Sequence, residues 1–360
     1  MLKKIEYAVK GFFDKMLLKD NKPVLINNSE TIFRLTDGSR LLLLRHDRIG
    51  DVMVTTPFLT ILRKAFPNIE IDMLMSPNNI SAQRAVDSYI NNIYIYDKKL
   101  VNIIKLFRKL KNRKYDIIID LFDNPSTTSS YIIKFVKPKY SLGFDKSNSA
   151  VYTHIVPLPN KNAVHIVERI ANLLMPFGIE PTQSAGELSF HLNPEERKKA
   201  NELITRSGKK VLGINLSGSS RPKYWGTDNF TEFIKAFSNK FTNYKVVIFS
   251  MPDYETELNQ IISSTSAEKA PKAGSFVEYA SYLSVCDLLL TADTAAVHLA
   301  AAFKVPCISL HLWTGSSDTG MPWHPYNSPY KMLKTDTGNL ADISVESVMN
   351  AAVEIIEGNN

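Results

Sequence analysis

From residue 41 onward, unbroken apolar runs alternate with stretches in which apolar residues recur every three to four positions. Continuous aliphatic runs fit strands buried on both faces of a parallel sheet, and the periodic stretches between them fit crossover helices. In the first half this predicts strands over residues 41–45 (LLLLR), 69–75 (IEIDMLM), 91–97 (NNIYIYD) and 115–121 (YDIIIDL). A helix runs to about Phe66, a basic amphipathic helix covers residues 100–114, and a further helix over 162–177 stops at Pro176 and Gly178. The polar stretch with Pro181, Gly186 and Pro194 then reads as a hinge.

The second half repeats the pattern. It predicts strands over 209–217, 244–250 and 287–293, a helix from 228 opened by Asp228 as its cap, a helix over 275–286, a short helix over 294–303 and a final strand over 305–311. A terminal helix, 345–356, is free to pack on either half. The expected organisation is α/β: a Rossmann-like domain over 41–185, a second over 186–345, an N-terminal extension over 1–40 and a C-terminal helix over 346–360. Two doubly wound domains on a hinge imply a cleft onto which the carboxyl ends of both sheets open.

Composition narrows the function. A chain of 360 residues with 44% hydrophobic residues and a net charge of +7 is long enough for two cores and is not a disordered chain. Cys286 and Cys307 sit apart on apolar segments and read as free thiols in a reducing cytoplasm. No apolar run approaches the roughly 20 residues of a membrane span, and the first 20 residues carry charges throughout, unlike a signal peptide. The positive balance calls for an anionic partner. A nucleic acid is disfavoured, because the densest basic run (Lys105, Arg108, Lys109, Lys111, Arg113, Lys114) lacks any accompanying nucleic-acid motif. GxGxxG, P-loop, HExxH and GxSxG patterns are absent, so neither a dinucleotide, a metal nor a serine nucleophile is indicated.

Four loops lie where chemistry belongs in such folds. In RHDRIGDVMVTTP (45–57), Gly50 permits a tight turn and Asp51 is either a general base or the cap of a helix starting near Val52. SGSSRPKYW (217–225) joins Gly218 and the hydroxyls of Ser219 and Ser220 to the cations Arg221 and Lys223. That suits a diphosphate, or else it is a solvated basic turn. In TADTAAVHLAAA (291–302), Asp293 or Thr294 caps a helix whose first N–H groups form an anion site, and His298 lies one turn beyond Thr294. Trp313 and Trp323 in the loop 311–325 are either platforms for a nucleotide or sugar, or structural anchors.

Taken in order, these segments resemble glycosyltransferase family 9, the ADP-heptose:lipopolysaccharide heptosyltransferases: LLLLRHDRIGDVMVTTPFLTILRKAFPNIEID, SGSSRPKYWGTDNFTEFI and CDLLLTADTAAVHLAAAFKVPCISL. The resemblance covers about residues 41–330 and implies a GT-B fold with a metal-independent, inverting transfer of heptose from ADP-heptose, as donor substrate, to a lipopolysaccharide-precursor acceptor. It places Asp51 at the catalytic base and Lys223, with Ser219, Ser220 and Arg221, in the diphosphate segment. Asp293, Thr294 and His298 fall on the donor contacts, and Glu255 or Asp253 on a ribose carboxylate. The cysteine usage, the charged N-terminus and the charge distribution add the expectations of an enzyme in the cytoplasm, with peripheral contact to the inner membrane as one further expectation and no nucleic-acid partner. Ala295 stands where the family has glycine after Asp-Thr, and the loop 311–325 departs from the family pattern. Both leave another nucleotide sugar, a protein acceptor or a non-catalytic scaffold as alternatives. The Lys-rich residues 1–20 read either as an amphipathic helix on an anionic membrane or as a packed face.

Overall fold

The structure is a computed structural model that describes residues 22–181, 186–218, 220–313 and 323–358. It divides into two compact units, Met1–Gly186 and Glu187–Asn360.

The apolar runs become strands at the centre of two parallel sheets. In the first unit, β1 (Val24–Leu25), β2 (Arg40–Leu44), β3 (Glu70–Met75), β4 (Asn92–Ile95), β5 (Ile117–Asp120), β6 (Tyr140–Phe144) and β7 (His154–Val156) lie in the order β1-β7-β6-β5-β2-β3-β4. Every pairing is parallel. Leu41 to Leu44 are fully buried, as a central strand covered on both faces requires. The helices are α1 (Ile49–Met53), α2 (Thr56–Ala65), α3 (Leu100–Asn112), α4 (Thr127–Val136) and α5 (Ile166–Ala171). Residues ahead of position 41 also belong to this unit, since β1 adds an edge strand to β7 and Phe33 is buried against Tyr140, His154 and Phe177.

In the second unit, α6 (Pro194–Leu203) precedes β8 (Lys210–Asn215), α7 (Thr227–Lys240), β9 (Tyr244–Phe249), α8 (Glu255–Ser264) and β10 (Glu268–Lys269). The chain continues through α9 (Phe276–Leu283), β11 (Leu288–Ala292), α10 (Ala295–Phe303), β12 (Cys307–Leu312), β13 (Tyr330–Thr335) and α11 (Val345–Glu357). The sheet order is β10-β9-β8-β11-β12-β13, again all parallel. One side chain cluster joins Ile214, Ile248, Leu290 and Ile308 of the sheet to Phe230, Phe233 and Phe237 of α7. Val348, Ala352 and Ile355 complete it, so α11 packs on the second unit. Buried Trp225 locks this side by donating its indole N–H to the Ile343 carbonyl at 2.8 Å.

Three expectations are corrected. Asp51 caps no helix: α1 starts at Ile49 after Arg48, which leaves Asp51 inside the first turn. Asp228 likewise sits inside α7, whose cap is Gly226 at φ +106°, a conformation that favours glycine. The strand over 307–312 is not the last, because β13 pairs with it along its whole length. Residues 1–21, Ser219 and residues 314–322 of the tryptophan-bearing loop lie outside the described residues.

Candidate functional site

Strand order fixes where ligands go. In the first sheet the chain winds outward through β2, β3 and β4, then restarts at β5 and winds the other way. The loops after β2 and β5 therefore diverge at the junction of these neighbouring strands. In the second sheet the same reversal falls between β8 and β11. Such switch points open a crevice at the carboxyl ends of the strands. The loop with Asp51 leaves β2, and the loops with Lys223 and with Asp293 and Thr294 leave β8 and β11.

At the first switch point, Arg45 is only 2% exposed and holds the loop together. Its Nε donates to Thr55 Oγ1 at 3.1 Å, and that hydroxyl donates to the Asp51 carbonyl at 2.8 Å. Nη1 donates to Asp47 Oδ2 at 3.0 Å, while among the described residues Nη2 and Asp47 Oδ1 are buried with no well-formed hydrogen bond, so the ion pair is one-point where a two-point fork is available. Burial pushes the Asp47 carboxyl up to about 7; the Arg45 guanidinium opposes this and the Asp51 charge reinforces it. The Asp51 carboxylate itself is half-exposed, and among the described residues no donor reaches it. His46 packs on Phe122 with ring centroids 4.7 Å apart, and burial pushes its imidazole down to about 4. Below it lies the buried Asp120 at the end of β5, which accepts from Lys146, Tyr152 and Ser129.

At the second switch point, Lys223 Nζ donates to Asp293 Oδ2 at 2.7 Å. The lysine is placed by a 3₁₀ turn, Arg221–Lys223, closed by its N–H on the Ser220 carbonyl at 3.0 Å. Gly218 makes that turn fit: a Cβ there would stand 2.3 Å from the Lys223 carbonyl oxygen. Thr294 caps α10, accepting from the Ala296 N–H, and Asn215 Nδ2 bridges Thr291 and Thr294 hydroxyls at 2.9 and 3.2 Å. Burial alone would raise the Asp293 carboxyl, but His311, Lys223 and His298 together hold it below the ordinary carboxylate range. Burial also pushes His311 down to about 4. His298 lies on the buried side of α10, its ring 5.9 Å from that of Trp323. Trp313 is farther along, its ring under the Lys334 ammonium and its backbone N–H donating to the Thr335 carbonyl at 2.7 Å.

The structure thus brings Lys223, Asp293, Thr294, Ala295 and His298 to one strand-end cluster. Arg221 points elsewhere: it is exposed, paired with Glu257 at 2.6 Å and stacked on Tyr254. Glu255, at the start of α8, pairs with Lys269, and Ser220 is exposed beside the turn. Sequence reasoning passed over Asp47, Asn215 and His311. The spacing Asp47 to Asp51, two carboxylates four positions apart in one strand-end loop, was the available signal for the first. Polar residues closing the apolar runs of β8 and β12 were the signal for the others.

Residues 103–352 match the profile of glycosyltransferase family 9 (heptosyltransferase). Lipopolysaccharide heptosyltransferase 3 of Escherichia coli is 26% identical over 297 residues, which span 78% of this chain and 84% of that protein. A glycosyl transferase family 9 structure from Veillonella parvula superposes with a TM-score of 0.75 at 22% identity, covering 90% of this chain and 99% of its own. The E. coli heptosyltransferase WaaC with ADP-2-deoxy-2-fluoro heptose gives 0.67 at 17% identity, covering 89% and 100% respectively.

Proposed function

Because the chain belongs to glycosyltransferase family 9, we propose that it transfers heptose from ADP-heptose to a lipopolysaccharide or lipooligosaccharide core acceptor, with inversion and without a divalent ion. It is a glycosyltransferase of GT-B fold, built from two parallel-sheet α/β units. The observation that carries the donor reading is the cluster of Lys223, Asp293, Thr294 and His298 at the second switch point, where a cation and the N-terminus of a nine-residue helix converge. A solved relative holding an ADP-sugar analogue supports the same class of donor.

In this reading Asp51 takes the proton of the attacking acceptor hydroxyl as the new C1–O bond forms. The bond between the anomeric carbon and the diphosphate breaks on the opposite face, which inverts the configuration. The departing ADP carries new negative charge, and Lys223, the α10 N–H groups, the flanking Ser220 and His298 take it up, with Arg221 joining them by exchanging its Glu257 partner for a phosphate oxygen. Lys223 is free to do so by exchanging its Asp293 partner for phosphate oxygens, and Asp293 then holds a donor hydroxyl. Glu255 or Asp253 is assigned to the ribose, and Ser219 to the same diphosphate segment.

Nucleotide-dependent thermal shifts test the donor. At a hundredfold excess over its Kd, ADP stabilises by about 2.7 kcal/mol, or roughly 5–10 °C for a domain of this size, and UDP and GDP do much less. Equal shifts, or a larger one with UDP, overturn the ADP assignment. NMR of the product with inverted anomeric configuration, formed at an unchanged rate in EDTA, supports the mechanism; retained configuration or loss of turnover in EDTA refutes it.

A further inference from the structure

Two buried polar side chains of the second unit take no part in the bonds described so far. His311, near the end of β12, is 1% exposed, and Ser309, two positions earlier, is fully buried. Among the described residues, neither nitrogen of the His311 ring makes a well-formed hydrogen bond, and nor does the Ser309 hydroxyl. Folded chains rarely leave buried polar groups unsatisfied without a use for them. The sheet ladder shows what these two face. Thr291 stands opposite Ser309, and one step on the Asp293 N–H donates to the Leu310 carbonyl at 2.9 Å, which carries Asp293 alongside His311. Positions 309 and 311 point to one face of the sheet. Charged groups act on the His311 ring from three segments: Asp293 after β11, Lys223 from the 3₁₀ turn and His324 ahead of β13. His298 on α10 acts on the same Asp293 but is already engaged with the Trp323 ring, and Lys334, the register partner of His311 on β13, lies over Trp313.

The charges here do not balance once a donor arrives. Lys223 is matched by Asp293 at 2.7 Å and Arg221 by Glu257 at 2.6 Å, so these cations bring no net charge. A nucleotide-sugar diphosphate carries two negative charges, and a helix N-terminus offsets only about half of one. When phosphate oxygens take Lys223, Asp293 is left beside them as a half-buried anion, and an unpaired charge in such a place is costly. We infer that His311 takes up one proton from solvent as the donor diphosphate binds and, as an imidazolium, pairs with the Asp293 carboxylate that Lys223 releases. It is thus a positioning residue for donor binding, acting through Asp293, and its other ring N–H meets the Ser309 hydroxyl. The proton returns to solvent when the nucleotide leaves and Lys223 goes back to Asp293. In the free protein the ring is neutral, pushed down to about 4 by burial and by the Lys223 charge against the pull of Asp293. Drawing Lys223 onto a diphosphate weakens the first charge and leaves the second unopposed. The inference rests on the donor reading given above.

Calorimetric titration of the full chain with ADP-heptose in EDTA, near pH 7 and in two buffers of different ionisation enthalpy, counts the protons taken up. A nucleotide-sugar diphosphate does not titrate in that range, so the expected count of about one belongs to the protein. NMR of histidine-labelled protein, with the His311 signal assigned by its loss in His311→Gln, shows the ring turning from neutral to charged on binding. The linkage weakens ADP-heptose binding by up to about tenfold per pH unit above the value of the ring in the complex. His311→Phe keeps a ring and His311→Gln keeps a hydrogen-bond donor. Both take up no proton, bind without that pH dependence and raise the KM for ADP-heptose by at least about fivefold, with a smaller change in kcat. Their melting temperatures stay near that of the wild type, and if either variant fails to fold the wild-type proton count decides. Binding without proton uptake, or uptake that persists in both variants, overturns the inference and leaves the donor reading standing. Failure of the wild type to bind ADP-heptose overturns both.

Discussion

Gly218→Ala probes, with one methyl group, the geometry of the loop proposed to hold the donor diphosphate. The added Cβ would stand 2.3 Å from the Lys223 carbonyl oxygen and 2.6 Å from its carbon, both backbone atoms, so no side-chain rotation relieves the clash. The turn has to recede by about 1 Å to reach ordinary contact, and the root of Lys223 moves with it. It is anchored on the other side by the Met251 N–H on Ser217 Oγ at 2.7 Å, which limits where it can go. Overpacking of this kind costs about 1–3 kcal/mol, or roughly 3–10 °C in melting temperature for a domain of this size. A misplacement near 1 Å in a positioning group costs on the order of 10²-fold in rate. Scanning calorimetry with and without ADP, beside steady-state transfer kinetics, reads both effects. Gly213→Ala serves as control: its Cβ meets the side chains of Cys286 at 2.8 Å and Phe249 at 3.1 Å behind the sheet, so it lowers stability while the ADP shift remains. A Gly218→Ala protein with wild-type stability, ADP shift and rate would refute the reasoning.

Other outcomes follow from the charged groups. Lys223→Met is expected to lower kcat about 10²–10³-fold, the usual consequence of losing one electrostatic contact to a leaving group. Asp293, held low in the folded protein, contributes stability above the unfolded carboxylate range that is lost as pH falls through its folded value. Lys223→Met removes part of that hold, so its melting-temperature deficit should be largest near neutrality and close in acid; a deficit that does not vary with pH contradicts the assignment. Asp47 runs the other way. Its carboxyl is raised to about 7 by burial, so the folded state binds the extra proton and stability declines as pH climbs from about 4 to 7. In Asp47→Asn that decline should disappear from the plot of melting temperature against pH, and an unchanged slope would place the raised carboxyl elsewhere.

What could be read in the sequence follows from burial. Strands at the sheet centres, such as Leu41 to Leu44 and Leu288 to Leu290, are covered on both faces and so appear as unbroken apolar runs. The edge elements are illegible for the converse reason: β1 and β10 are two residues long and exposed, β7 is three, and β13 is mostly half-buried. The helix expected over 162–177 shrinks to Ile166–Ala171 followed by a 3₁₀ turn, because His165 Nδ1 caps it late, accepting from the Val167 N–H. The gathering of Lys223, Asp293, Thr294 and His298 at one place was legible because strand ends in a parallel sheet converge at a switch point whatever the intervening sequence. Arg221 and Glu255 sit in the right loops, but their side chains turn to Glu257 and Lys269, a choice that spacing does not encode. Asp47 and His311 escaped notice because their character comes from burial, which spacing does not encode, and for His311 also from Asp293, a partner distant in sequence.

The central claim is that Asp51 is the base of a heptosyl transfer whose donor rests on the second unit. Its most direct test is transfer from ADP-heptose by wild-type and Asp51→Ala proteins, measured with the ADP-induced thermal shift of each. The account predicts turnover by the wild type, a fall of at least ~10² in the variant, as for a general base, and the same ADP shift in both. Transfer by Asp51→Ala at the wild-type rate would contradict it.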